Sequence, residues 1–234
     1  MREKIIVASV LLASFVNVNA AEHAKVDQQS KYALTAKVGT LGAGLDLTYK
    51  INPKFNARIN LNKASADYNE VEDGVTYTGD LDLFTVGALV DYHPFQNNFR
   101  MSAGLYKNNN EINASSTDAD EAEIGGTVYD IEGTLNSSIS FKSIAPYIGI
   151  GWGNAVKRPN RWRISFDAGV LFQGKPEGKL SIGDETTVRN SETGQLEDIP
   201  DFEAELAQEE DNLNAELKDF KAYPAISLGV SYNF

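Results

Sequence analysis

Ser227-Leu-Gly-Val-Ser-Tyr-Asn-Phe234, the last eight residues of the chain, alternate strictly and stop at an aromatic. Successive side chains of a strand point to opposite faces. Leu228, Val230, Tyr232 and Phe234 therefore share one face, and Ser227, Gly229, Ser231 and Asn233 the other. A strand with one greasy and one small, polar face suits a barrel whose outside is covered by lipid.

The start of the chain agrees. Arg2 and Lys4 precede an apolar run from Ile5 to Val16, and Val18-Asn19-Ala20 stands before Ala21. A charged beginning, a short apolar stretch and small residues at a cleavage position make a secretory signal peptide over residues 1–20. The run is too short for a membrane-spanning helix, which needs roughly 20 apolar residues. Residues 21–31 form an N-terminal periplasmic segment, and the barrel occupies 32–234. The net charge is −12, becoming −13 once residues 1–20 are removed. No basic stripe offers itself to nucleic acid. With no cysteine, no disulfide framework holds the fold.

The same alternation recurs along the chain. Tyr32, Leu34, Ala36 and Val38 lie on one face; Leu41, Ala43, Leu45, Leu47 and Tyr49 follow with the parity shifted. That shift predicts a tight turn or bulge near Thr40. Further apolar faces are Phe55 to Leu61, Phe84 to Tyr92, Phe99 to Leu105, Ile148 to Trp152, Trp162 to Phe172, and the final strand. Split at Thr40, these make eight strands, and an even count returns both termini to one side. Short links at Asn52-Pro53, Pro94 to Asn97 and Asn154 to Asn160 alternate with polar loops at 67–75, 107–136 and 174–220. The expected fold is all-β: an eight-stranded antiparallel up-and-down transmembrane barrel. Aromatics near strand ends (Tyr32, Tyr49, Tyr92, Phe99, Trp152, Trp162, Phe172, Tyr232, Phe234) predict girdles at both interfaces. The competing fold is a soluble sandwich or lipocalin-like barrel with its apolar face inward.

With lipid outside, the polar face lines the lumen. It carries Lys37, Asp46, Lys50, Arg58, Asp82, Asp91, Arg100, Arg163 and Asp167, nearly balanced in charge. Eight strands leave an interior that side chains can fill, and buried charges must be paired. Lys37, Asp46, Arg58, Asp91, Arg100, Arg163 and Asp167 are thus either a salt-bridged plug or a polar path for a small solute. In the last long loop, residues 175–221 hold 14 acidic and 5 basic side chains. There Phe202, Leu206, Leu213, Leu217 and Phe220 fall on one helical face. This predicts a short amphipathic helix at the barrel mouth, packed on the rim or acting as a gate. The acidic run Asp118 to Glu123 matches no EF-hand spacing and reads as a solvated loop.

Catalytic, cofactor and metal sites are not expected. The two histidines, His23 and His93, are isolated, and no Ser and His stand where adjacent strands would bring them together.

Three segments carry a family resemblance: Lys37 to Tyr49 (KVGTLGAGLDLTY), Ile144 to Gly151 (IAPYIGIG) and Pro224 to Phe234 (PAISLGVSYNF). They are similar to small bacterial outer-membrane barrels, and most of all to the carbapenem-resistance-associated outer-membrane protein family. The resemblance runs from about Tyr32 to Phe234. It implies an eight-stranded barrel in the outer membrane of a Gram-negative cell and, by the role suggested for that family, passage of ornithine and other basic amino acids. It carries no binding motif over residue by residue. Gly229, Tyr232 and Phe234 resemble the signal read by the barrel-assembly machinery. The expected function is a narrow channel for small, cationic solutes; the alternative is a non-conducting structural or surface-interaction barrel. The expected partners are outer-membrane lipid and lipopolysaccharide, the assembly machinery and a small solute.

Overall fold

The computed structural model describes residues 31–72, 75–157 and 161–234. The predicted signal peptide and almost all of the segment after it lie outside the described residues. Strands β1 (Tyr32–Gly39), β2 (Gly42–Lys50), β3 (Phe55–Glu72), β4 (Val75–Tyr92), β5 (Phe99–Asn108), β8 (Ile144–Trp152), β9 (Trp162–Leu171) and β12 (Tyr223–Asn233) pair antiparallel. β12 returns to β1, from Ala33 opposite Asn233 to Gly39 opposite Ser227, and the ring of eight closes.

Local chemistry sets the turns. Thr40 and Leu41 form the β1–β2 turn, and Gly42 follows at φ +94°, a conformation that costs glycine least. Leu41 points inward, which is why the apolar parity shifts there. At the other end the Asn52 side chain accepts hydrogen bonds from the Lys54 and Phe55 amides, both at 2.9 Å, an Asx turn.

The three polar stretches expected to be loops are structured. β3 and β4 stay paired to Glu72 opposite Val75, far beyond the ring. β6 (Glu111–Ile124) and β7 (Thr127–Ser140) form a second hairpin. β4 pairs with β5 over Thr85–Tyr92, then with β6 over Thr76–Asp82, along the same edge. Asn108, Asn109 and Asn110 bridge this change of partner. The Asn109 amide donates to the Phe84 carbonyl, the Phe84 amide donates to the Asn110 side chain, and the Asn110 amide donates to the Asn108 side chain. β10 (Glu177–Ile182) and β11 (Thr187–Asn190) pair with β7. The acidic run from Asp118 falls on β6 at a β-bulge, with Asp118 at φ +55°, rather than in a loop.

Helix α1 (Ile199–Leu217) covers this lobe. Phe202 and Leu206, on its predicted apolar face, are buried with Val75, Ile124, Tyr129, Ile131 and Val188. Phe220, assigned to the same face, lies past the helix and is exposed. α1 also closes the free edge of β10. The Gly178 amide donates to Asn214 Oδ1 at 3.0 Å, Asn214 Nδ2 donates back to the Gly178 carbonyl at 2.9 Å, and the Leu180 amide donates to Glu210 at 3.0 Å. Two side chains thus stand in for the missing strand, one of the ways in which exposed sheet edges are protected.

Candidate functional site: a closed, ion-paired lumen

Parity along each strand sorts the barrel into two surfaces. Every outward position over the central band is apolar: Tyr32 to Val38 on β1, Ala43 to Tyr49 on β2, Phe55 to Leu61 on β3, Phe84 to Tyr92 on β4. β5, β8, β9 and β12 continue the band from Phe99 to Leu105, Ile144 to Trp152, Trp162 to Val170 and Ile226 to Tyr232. The large members stand open; Ile164 is 77% exposed and Trp162 66%. The band spans seven to nine residues per strand, roughly 25 Å along the chain.

Its aromatics are uneven: most gather at one end, and Phe84 and Phe172 mark the other. Tyr32 and Tyr49 meet at 5.0 Å, Phe55 and Tyr92 at 4.9 Å, Trp162 and Tyr232 at 4.9 Å, Tyr232 and Phe234 at 5.4 Å. All sit at the end with the short turns, because alternate strands begin or finish there. Of the aromatics assigned to girdles, only Phe172 lies at the far end.

The inward surface is stratified. In its middle, three cations face three anions. Arg58, on β3, holds Asp46 at 3.1 Å, Asp91 at 2.8 Å and Asp167 at 3.5 Å. Lys37 pairs with Asp46 at 3.1 Å, and Arg100 with Asp167 at 2.6 Å. Ser102 donates to Asp91 at 2.6 Å and accepts from Arg58 at 3.2 Å. Asn60 donates to Asp46, and Asn62 to Asn60 and Thr85. All six charged side chains are less than a tenth exposed. A buried charge demands this density of partners, since desolvating an unpaired ion costs several kcal/mol.

Toward the lobe lies an apolar layer of Leu41, Leu89, Tyr106, Ala145, Tyr147, Leu171 and Ala225. Tyr106 and Tyr147 pack edge-on at 5.6 Å. Glycines make their room: a Cβ at Gly87 would stand 2.6 Å from the Tyr106 ring, and one at Gly169 2.5 Å from the Tyr147 hydroxyl. Small residues opposite large ones are how a narrow barrel fills its interior. Toward the turns lies a neutral polar layer. Thr35 and Ser231 share a hydrogen bond at 2.7 Å. His93 Nδ1 donates to the Phe99 carbonyl at 3.0 Å, which leaves Nε2 to accept from Asn56 at 3.1 Å.

Among the described residues, cavities of about 20 and 10 Å³ lie within the lumen. Arg58 lines both and stands between them. Each is the size of a single water. The Nε atoms of Arg58 and Arg100 have no hydrogen-bond acceptor among the described residues; Arg58 lines both cavities and Arg100 the smaller.

The other members of the polar face lie elsewhere. Arg163 is at the turn end, where its Nε donates to the Lys157 carbonyl at 2.7 Å, outside the six-membered cluster. Lys50 is half-buried at the same end. Asp82 is exposed and shares the outward parity of Phe84, beyond the ring. Sequence reasoning passed over Ser102, Asn60, Asn62, Tyr106 and Tyr147, although each has inward parity.

Neither a family model nor a curated relative matches the sequence. Two solved structures share the fold. Acinetobacter baumannii CarO2 aligns at a TM-score of 0.55 and 20% identity, over 87% of this chain and 98% of that one. Acinetobacter baumannii CarO aligns at 0.54 and 20%, over 88% and 98%. At this identity the likeness establishes the eight-stranded barrel fold, in agreement with the resemblance read from the sequence.

Proposed function

We propose that the chain is an outer-membrane barrel with a closed lumen, and that its projecting lobe and rim, rather than a pore, do its work. The apolar band supports the membrane. Exposed side chains of this kind over eight consecutive strands would not stay in water, and the band approaches the roughly 25 Å height of lipid-facing bands. With the short turns toward the periplasm, the lobe projects outward.

One observation carries the closed state: the layer in which Arg58 ties Asp46, Asp91 and Asp167 together under the Tyr106–Tyr147 lid. A basic amino acid crossing this layer would have to displace Arg58 or Lys37 from their carboxylates. That would leave buried charges unpaired, at several kcal/mol each. Purified, refolded protein in planar bilayers is therefore expected to stay at the bare-lipid baseline, and liposomes containing it to exclude ornithine. Steady conductance steps or ornithine flux from the unmodified protein would overturn the reading and restore the channel.

The last strand would serve assembly. Phe234 is exposed, meets Tyr232 edge-on, and its amide donates to the Tyr32 carbonyl, beside the seam where β12 meets β1. Gly229 faces inward, where a Cβ would come within 2.9 Å of Thr35. Phe234→Ser is expected to slow insertion and leave unassembled protein in the periplasm, scored by the heat-modifiable band on gels. Normal yield of that band would refute the assembly role.

A further inference from the structure

Four lysines lie at the lobe end of the apolar band, on the connected side of the ring formed by β5, β8, β9 and β12. Lys107 is outward on β5, opposite Ile144, and exposed. Lys142 lies two residues before β8 and is exposed. Its stem runs along Gly174, where a Cβ would meet Lys142 Cδ. Lys175 follows Gly174 directly and is exposed. Lys221 precedes β12, is exposed, and accepts a hydrogen bond at its carbonyl from the Gly174 amide. Gly174 is thus a hub that gathers Lys142, Lys175 and Lys221 at one level, with Lys107 one strand away. Among the described residues none of the four makes an ion pair, whereas the adjacent Glu177 is engaged by Lys179.

This cluster is against the trend of the molecule. The net charge is −12, and α1, just above, carries only acidic charged side chains. Below it, on the outward face, come Leu105, Ile144 and Phe172, each more than two-fifths exposed. A cationic rim directly over apolar rungs has the polarity of a lipid turned inside out: charge at headgroup height, hydrocarbon beneath.

We propose that Lys107, Lys142, Lys175 and Lys221 bind the phosphates of a phosphomonoester-bearing glycolipid of the surrounding leaflet, its acyl chains lying on Leu105, Ile144 and Phe172. This rests on the membrane reading above and names the lipid partner for that surface. Lysine is suited to the role as a compact point charge on a flexible stem. Each such residue near an anionic membrane surface contributes about 1 kcal/mol, roughly a five-fold change in retention.

The test uses the full mature protein refolded in phosphatidylcholine vesicles containing diphosphoryl lipid A or its dephosphorylated form. The heat-modifiable band reports insertion. Lipid A retained per barrel after detergent exchange is counted by mass spectrometry. The protein is expected to retain the phosphorylated lipid at least roughly ten-fold better than the dephosphorylated one. The quadruple variant K107Q/K142Q/K175Q/K221Q should lose that preference while inserting normally. The variant K31Q/K54Q, at the turn end, should keep it. Equal retention of the two lipids, or undiminished retention by an inserted quadruple variant, would overturn the proposal. Failure of the unmodified protein to insert at all would instead sink the membrane reading.

Discussion

Replacing Arg58 by alanine is expected to turn the silent barrel into a leaky, cation-preferring one. Arg58 touches three of the three buried carboxylates, so its loss leaves Asp46, Asp91 and Asp167 facing only Lys37 and Arg100. It is also the shared wall of the two water-sized cavities, and truncating it joins them. An acid-lined, hydrated gap favours cations. Breaking a buried ion pair from one side costs about 3–5 kcal/mol, because the abandoned charge stays buried. The refolded variant should therefore show a lower urea midpoint. In a planar bilayer under a potassium chloride gradient, its reversal potential should have the sign of potassium selectivity. Adding Asp91→Asn restores the balance of charge. It should recover part of the stability and remove the selectivity while the gap remains. A double-mutant cycle separates these effects. A silent R58A barrel with an unshifted urea midpoint would show that the cluster does not hold the lumen closed.

The closed layer owes its form to strand stagger as much as to residue type. Parity alone separates Lys37, Asp46 and Arg58 from Leu45 and Ile59, and this much was legible in the sequence. It could not place Arg163, which has the same inward parity but enters β9 at the turn end. The tilt and stagger of barrel strands fix the height of each side chain, and that height is invisible in one dimension. The aromatic edge has a similar explanation. Tyr32 begins its strand and Tyr49 ends its own, so sequence position scatters them; antiparallel pairing brings them to 5.0 Å.

The lobe was the larger omission. Glu111-Ile-Asn-Ala-Ser-Ser-Thr117 is polar or small at nearly every position. A stretch of that composition resembles a loop. It is a strand because β4 and β7 satisfy its two edges, and because only one face of the lobe sheet meets α1. Such a sheet needs few apolar residues, and those few are distant in sequence: Val75, Tyr129, Val188 and Phe202 meet in one cluster. The helix was legible because Phe202 and Leu206 keep a four-residue spacing. Its role in closing β10 was not, because Asn214 and Glu210 are polar side chains at the margin of that apolar face and act on backbone groups of β10.

Phe202→Ala should release the lobe while leaving the barrel intact. Phe202 is fully buried and meets Tyr129 edge-on at 5.1 Å, with the rings 85° apart. Burial, reinforced by the hydrogen bond that its hydroxyl donates to Glu205, pushes the Tyr129 phenol up to about 12, so the hydroxyl stays protonated at neutral pH. Removing a buried Phe costs about 3–5 kcal/mol. Among the described residues the lobe cluster has seven buried members over which to spread that loss. α1 makes no side-chain cap at Asp198 and has no basic residue in its last turn, so Leu206, Glu205 and the two side chains bonded to β10 are its remaining ties. Once α1 lifts, the Gly178 and Leu180 amides lose Asn214 and Glu210, and β10 becomes an open edge. Hydrogen exchange should quicken across 177–217, trypsin should cut at Lys179 and Arg189, and the freed edge should promote self-association. The ring should keep its heat-modifiable band, since the β1–β12 seam and the ion-paired layer do not touch α1. Protection of 177–217 equal to that of the unmodified protein would show that the hydrogen bonds to β10 hold the helix without its aromatic anchor.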